Sequence, residues 1–281
     1  MRPDNLKTKI FLDSGDVNQT RQIKNLLGFL DGQTTNPTLI AKNAGAQGKK
    51  FTKEEIFKFY REIVEQISAL IPNGSVSVEV YADASTAADE MFAQGKDMFT
   101  WIPNAHIKYP TTEAGLEAAN RSIQEGMRVN MTLCFTQEQA AAVYAATKEA
   151  KKGDVFLSPF VGRLDDIGKN GMDLTKNIMQ MFKKGDEHVE VLTASIRNLN
   201  HLLYAIRLDS DLTTTPFAVL KEWADKSMVV PSDFNYAPQG LKEIPYQEVD
   251  LNRSWTMYDI SHELTDAGIK RFSDDWNSII I

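Results

Sequence analysis

Along the chain, short apolar runs rich in β-branched and aromatic residues alternate with longer segments in which apolar residues recur every three or four positions. The short runs fall at 9–13, 32–36, 75–80, 106–110, 128–134, 155–161, 190–195 and 211–216, eight in all. The segments between them read as amphipathic helices. Over 53–70, Ile56, Phe59, Tyr60, Ile63, Ile67 and Leu70 share one face at helical spacing, and 137–152 is rich in alanine. Strand and helix in strict alternation predict a parallel sheet, and eight repeats are the number that closes a (β/α)8 TIM barrel. An open doubly wound sheet is the alternative that periodicity leaves standing. No repeat of fixed period is present in the 281 residues, and neither GxGxxG nor GxxxxGK[ST] occurs to suggest a nucleotide site.

Two stretches depart from the alternation. Residues 227–262 hold three of the ten prolines and many polar residues, and read as an irregular extension after the last strand and its helix. Residues 263–281 return to helical spacing, with Leu264, Ile269, Phe272, Trp276 and Ile280 on one stripe, and predict a C-terminal helix that docks on the rest. The expected organisation is a catalytic barrel over 1–226, the extension over 227–262 and the terminal helix over 263–281.

Composition narrows the partners. A net charge of −7, a pI near 5.2 and basic residues scattered among acidic ones give no footprint for nucleic acid or an anionic membrane, so a small molecule is the expected partner. The polar first eleven residues carry no leader pattern, and no segment approaches the run of about 18 apolar residues that spans a bilayer, so a cytoplasmic location is expected. The single cysteine, Cys134, sits in an apolar run and reads as a buried small hydrophobe. His106, His188, His201 and His262 show no ligand spacing, so no metal is expected. The aromatics around 255–258 read as packing, and Asp274 with Asp275 as a solvated helix face.

In a parallel barrel the chemistry collects where the strands end at their C-termini. The polar residues there are Asp13, Thr34, Thr35 and Asn36, Glu79, Lys108, Asn130 and Thr132, Ser158 and Arg163, and Ser195 and Arg197. Charged side chains inside apolar strands are costly unless paired or used. Lys108 is either half of a buried ion pair or an amine made nucleophilic by desolvation, able to form an imine with a ketone. Asp13 reads as a helix N-cap or as a base for a hydroxyl proton during carbon–carbon cleavage. A water between Glu79 and Thr132 would shuttle protons. Arg163 and Arg197, each following a serine, suit a phosphate, with a pair of surface salt bridges as the alternative.

These residues stand in stretches that closely resemble the transaldolase family, in order along nearly the whole barrel. They are IFLD (10–13), DGQTTNPTLI (31–40), VEV (78–80), IKYP (107–110), VNMTL (129–133), LSPFVGRLD (157–165) and ASIRN (194–198). The resemblance implies class I aldol chemistry without metal or organic cofactor. Lys108 would form a Schiff base with the ketose C2, and Asp13 would act at the C4 hydroxyl as the C3–C4 bond breaks. Glu79 and Thr132 would hold a catalytic water. Thr34, Asn36, Asn130 and Ser158 would orient the dihydroxyacetone unit, and Arg163, Ser195 and Arg197 would grip the sugar phosphate.

The resemblance extends to a neighbouring branch, fructose-6-phosphate aldolase, which tends to carry glutamine in place of Glu79 and tyrosine in place of Phe160. Both positions favour transaldolase, with transfer among sedoheptulose 7-phosphate, glyceraldehyde 3-phosphate, erythrose 4-phosphate and fructose 6-phosphate in the pentose phosphate pathway. The C-terminal stretch resembles the small class, whose members form pentamers and decamers, so a homo-oligomer is expected. The extension has no counterpart there. Ser14, Tyr109 and Cys134 replace more usual neighbours of the site and are expected to tune substrate choice, as toward a sulfonated ketose. An aldolase releasing dihydroxyacetone and a non-catalytic sugar-phosphate-binding barrel are the competing readings.

Overall fold

The computed structural model describes residues 2–281, and their eight strands close into one parallel barrel in the order β1 to β8. The strands are β1 Lys9–Asp13, β2 Gly32–Thr34, β3 Ser75–Glu79, β4 Ala105–Pro110, β5 Val129–Cys134, β6 Val155–Pro159, β7 Val189–Thr193 and β8 Leu212–Pro216. Pairing of β1 with β8, from Lys9 opposite Leu212 to Asp13 opposite Pro216, excludes the open sheet. Around the barrel run α1 Val17–Leu27, α2 Pro37–Ala41, α3 Lys53–Leu70, α4 Ala88–Phe99, α5 Glu113–Gln124, α6 Gln137–Ala146, α7 Val161–Asp165, α8 Gly171–Phe182, α9 Leu199–Arg207 and α10 Phe217–Asp225. The last helix, α11, is Glu263–Asn277.

Local chemistry sets many of these boundaries. Thr52 and Glu55 form a reciprocal capping box that starts α3 at the predicted residue. The second strand ends earlier than its apolar run because the Asn36 side chain accepts from the Leu39 N–H and Pro37 follows, which together open α2. Helix α6 stops short of 152, capped by Thr147, whose N–H and hydroxyl both return to the Val143 carbonyl. On the amphipathic face of α3, Val64 and Ser68 are buried while Phe59 and Leu70 are only partly so.

Alternation along β4 decides which way Lys108 points. Its neighbour Tyr109 faces the helix layer, where its hydroxyl lies 3.0 Å from Ser122 of α5 and where a Cβ on Gly95 of α4 would sit 1.9 Å from it. Lys108 therefore faces the barrel interior.

The extension is a strap. Two left-handed residues, Ser227 (φ 57°) and Met228 (φ 56°), turn the chain out of α10. It then runs back around the outside of the barrel. Arg207 of α9 donates to the Pro231 carbonyl at 2.8 Å, and Tyr236 stacks on Tyr204 with centroids 4.5 Å apart. On α8, Asn177 donates to the Ile244 carbonyl at 2.8 Å and Asp173 accepts from the Ile244 N–H at 3.2 Å. On α6, the Gln137 amide both donates to Gln247 (2.8 Å) and accepts from it (2.7 Å). Val249, Leu251 and Tyr258 are buried beneath this path.

The strap delivers α11 to the C-terminal mouth of the barrel. At its start, Thr265 donates to the Leu133 carbonyl at 3.0 Å, and Gly268 has no side chain where Leu133 Cδ2 would lie 2.5 Å from a Cβ. At its end, Trp276 packs edge-on against Phe57 and Tyr60 of α3, and Thr38 of α2 donates to Asp275 at 2.5 Å. Asp275 is thus a latch holding the helix, which corrects its reading as part of a solvated face. Asp274 alone fits that reading, paired with Lys270 at the surface. Among the described residues, no helix is long and apolar enough to cross a membrane.

Candidate active site

Register brings the chemistry together. Glu79 of β3 pairs with Lys108 of β4, and Lys108 with Asn130 of β5, so three polar side chains occupy one row across adjacent strands. Lys108 Nζ lies 2.8 Å from Glu79 Oε2, with both side chains only 4% exposed. The Lys108 ammonium is the partner of this carboxylate oxygen. Burial pushes the Glu79 carboxyl up to about 7, and the Lys108 charge opposes the rise. The Phe160 ring lies 5.9 Å from Lys108 Nζ.

Glu79 is fixed from behind by Tyr60 of α3. The Tyr60 hydroxyl accepts from the Glu79 N–H at 2.9 Å and contacts Thr35 Oγ1 at 2.5 Å. Thr35 gives its own proton to the Ser77 carbonyl at 2.8 Å, so Tyr60 donates to Thr35 and every polar atom of this support is used. Thr132 is fully buried with its hydroxyl oxygen unpartnered.

Asp13 pairs with Thr34 across β1 and β2, and Thr34 donates to Asp13 Oδ1 at 2.8 Å. That spends the Thr34 proton, so Thr214 is the donor in the 2.6 Å contact between the two threonines. Burial raises the Asp13 carboxyl above its ordinary range, while Lys108 and the Thr34 hydroxyl hold it down. Asp13 is not a cap, since Asp16 takes that place on α1 through the Asn18 N–H at 2.8 Å. Ser158 donates to Asn130 Oδ1 at 2.7 Å, and Asn130 donates to Ser77 Oγ at 3.0 Å.

Above Lys108 opens a cavity of about 250 Å³, lined by Asp13, Thr34, Asn36, Lys108, Ser158, Phe160, Arg163, Ser195 and Arg197 among others. Glu79 and Asn130 stand behind this wall, touching Lys108 and Ser158. Ser195 holds a left-handed backbone (φ 60°), strain of the kind that gathers at functional sites. Gly162 lets Arg197 approach, since a Cβ there would lie 2.5 Å from Arg197 Cγ and Nε and 2.3 Å from the Ser195 carbonyl. His201 braces this corner, with its Nε2 2.9 Å from Asp165 and its Nδ1 accepting from the Arg197 N–H at 3.4 Å. A larger cavity, about 510 Å³, lies at the opposite end among strand starts such as Lys9, Ser75 and His106. Burial pulls His106 there down to about 3, so it is a neutral ring stacked on Phe156.

Residues 10–280 match the family described as transaldolase/fructose-6-phosphate aldolase. The chain belongs to that family. A probable transaldolase of Dehalococcoides mccartyi is 35% identical over 272 residues, covering 96% of this chain and 99% of that one. One from Thermus thermophilus is 34% identical over 271 residues, with coverage of 96% and 99%. A third, from Herpetosiphon aurantiacus, is 35% identical over 271 residues and covers 96% of each chain.

Against the transaldolase/fructose-6-phosphate aldolase pattern, the departures at Ser14, Tyr109 and Cys134 do not reach the cavity. Ser14 donates to Gln19 at 2.6 Å and receives the Asp16 N–H, which organises the start of α1. Tyr109 lies outside the barrel wall, and Cys134 is a buried thiol pushed up to about 12. An effect of these three on substrate choice would therefore act through the side chains that do line the cavity. Four polar cavity residues escape a reading by strand ends, namely Thr38, Lys42, Thr214 and Arg271. Thr214 lies in an apolar-looking run of threonines, and Arg271 comes from α11, whose docking site the amphipathic stripe does not specify.

Proposed function

We propose that this enzyme is a transaldolase, moving a dihydroxyacetone unit from a ketose phosphate to an aldose phosphate through a Schiff base on Lys108. The observation that carries the reading is the position of the Lys108 amine. It lies between the Glu79 carboxylate and the Phe160 ring, at the inner end of a cavity whose outer end bears Arg163 and Arg197. A nucleophile and an anion grip at opposite ends suit an extended sugar phosphate.

Lys108 gives its ammonium proton to Glu79 and the freed amine attacks C2 of the ketose; the Glu79 carboxyl returns the proton to the carbinolamine hydroxyl, water leaves, and the imine forms. Asp13 takes the C4 hydroxyl proton as the C3–C4 bond breaks, the aldose phosphate leaves, and the bond's electron pair rests in the enamine. The acceptor aldehyde then takes this pair at its carbonyl carbon, its oxygen receives the proton from Asp13, and water releases the new ketose. Glu79, with a carboxyl near 7, is matched to giving and taking protons at neutral pH during gain and loss of water. The unpartnered Thr132 hydroxyl suits one end of a water bridging to the Glu79 carboxylate.

Thr34, Asn36, Asn130 and Ser158 orient the three-carbon unit, and Ser195 joins the arginines at the phosphate. Glu79 and Phe160, where the aldolase branch tends to carry glutamine and tyrosine, favour transfer over release of dihydroxyacetone. Purified protein with fructose 6-phosphate and erythrose 4-phosphate should produce sedoheptulose 7-phosphate. Folded protein that makes none overturns the reading, and consumption of fructose 6-phosphate without an acceptor replaces it with an aldolase. Assembly into a pentamer or decamer through α11 belongs to the same reading and is measured by sedimentation.

A further inference from the structure

The strap and α11 bring to the cavity a residue that no strand supplies. Arg271 lines it together with Arg163, Arg197 and Lys42, and its neighbour Phe272 closes the same wall. Arg163 senses both other guanidinium groups: burial lowers it most, with Arg271 and Arg197 adding to the effect. The opposing carboxylates are few. Asp166 lies 2.7 Å from Arg197, and Asp275 only 3.9 Å from Arg271. Asp275 is engaged by the Thr38 hydroxyl at 2.5 Å, so Arg271 is loosely held and half-exposed at the rim. Leaving aside Lys108 and Asp13 deeper in the cavity, these four cations face the two carboxylates named, an excess of two positive charges at the mouth.

We propose that Arg271 is the third arm of the anion grip and makes this mouth selective for a dianionic terminal group, a phosphate monoester, over a singly charged one such as a sulfonate. This rests on the sugar-phosphate reading above and deepens it. A phosphate monoester carries roughly −1.5 to −2 near neutral pH, which matches the local excess, whereas a sulfonate leaves one cation unanswered. Three planar forks also surround a tetrahedral anion from more sides than two, each donating paired N–H groups. Arg271 is therefore a specificity determinant carried by the terminal helix, and the strap is what routes that helix across the mouth.

The test uses the full chain with inorganic phosphate as the probe, titrated calorimetrically against wild type, R271Q, R271K and K270Q. Lys270 is the adjacent cation on α11, paired with Asp274 at the surface and absent from the cavity wall, so K270Q removes the same charge from outside the site. R271Q should weaken phosphate binding about fivefold to tenfold, the scale of one charged hydrogen bond at a half-exposed rim. R271K should fall between, and K270Q should match wild type. With ketoses as substrates, R271Q should raise KM for fructose 6-phosphate with little change in kcat, and narrow the preference over the 6-sulfonate analogue. R271Q behaving like K270Q, wild type failing to bind phosphate at tens of millimolar, or wild type taking sulfonate as readily as phosphate overturns the proposal. Phosphate binding that depends on Arg271 in a protein without transfer activity would overturn the transaldolase reading and leave this one standing.

Discussion

Glu79 and Lys108 sit directly opposite one another on β3 and β4, and their charges meet 2.8 Å apart inside the barrel. The pairing makes each residue the condition for burying the other, because a lone charge at this depth would be strongly destabilising. It also joins the two readings open for Lys108. The ion pair is present, and its lysine lines the cavity with Glu79 behind it.

Borohydride reduction with fructose 6-phosphate should leave a mass adduct on the peptide containing Lys108. K108A should lose both adduct and transfer. An adduct on another lysine, or one that persists in K108A, would remove the covalent mechanism.

The Glu79 carboxyl titrates near 7 in the fold against 4.5 for the ordinary group, so between these values the folded chain binds more protons than the unfolded chain. Its contribution to stability is therefore complete below about 4.5, falls as pH rises, and is lost above about 7. E79Q does not titrate. Urea unfolding from pH 5 to 8 should show the stability of wild type relative to E79Q declining toward pH 7, and a difference that stays constant contradicts the shift.

G162A forces a methyl group into Arg197 and the Ser195 carbonyl. KM for fructose 6-phosphate should rise about tenfold or more, the scale of a lost charged hydrogen bond or pair of them. Borohydride trapping with unphosphorylated dihydroxyacetone should persist, since the inner end of the cavity is untouched. Equal loss of both would argue that the damage spreads through the barrel.

Y60F removes the acceptor for the Glu79 N–H and the donor to Thr35. The unpaired buried groups should cost about 1–3 kcal/mol in urea unfolding. Transfer should slow through kcat more than KM, because Tyr60 positions Glu79 and is absent from the cavity lining. A change confined to KM would refute that role.

Much of this was legible before folding. The strand runs are apolar because parallel barrel strands are covered on both sides, and polar residues at their ends mark the active face. Asp13, Thr34, Lys108, Ser158 and Arg163 follow from that rule. Element boundaries shifted by a few residues where a cap such as Asn36 or Thr147 overrode the apolar pattern. The strap was visible only as an absence of periodicity. Its polar contacts join the side chains of Gln137, Asp173 and Asn177 to backbone atoms of the strap, and such contacts leave no spacing to read.

What the sequence determined by itself was the eightfold alternation of strand and helix, the strand ends that carry the polar residues and the residue types gathered there, because periodicity and burial are local properties of the chain. Tertiary structure alone decided the rest. Closure of β1 on β8 sets the strand register, and that register puts Glu79 against Lys108 while Tyr109 faces outward. The docking of α11 brings Arg271, from near the end of the chain, to Arg163 and Arg197. Contacts between residues far apart in sequence depend on how the whole chain closes, and no local pattern specifies them.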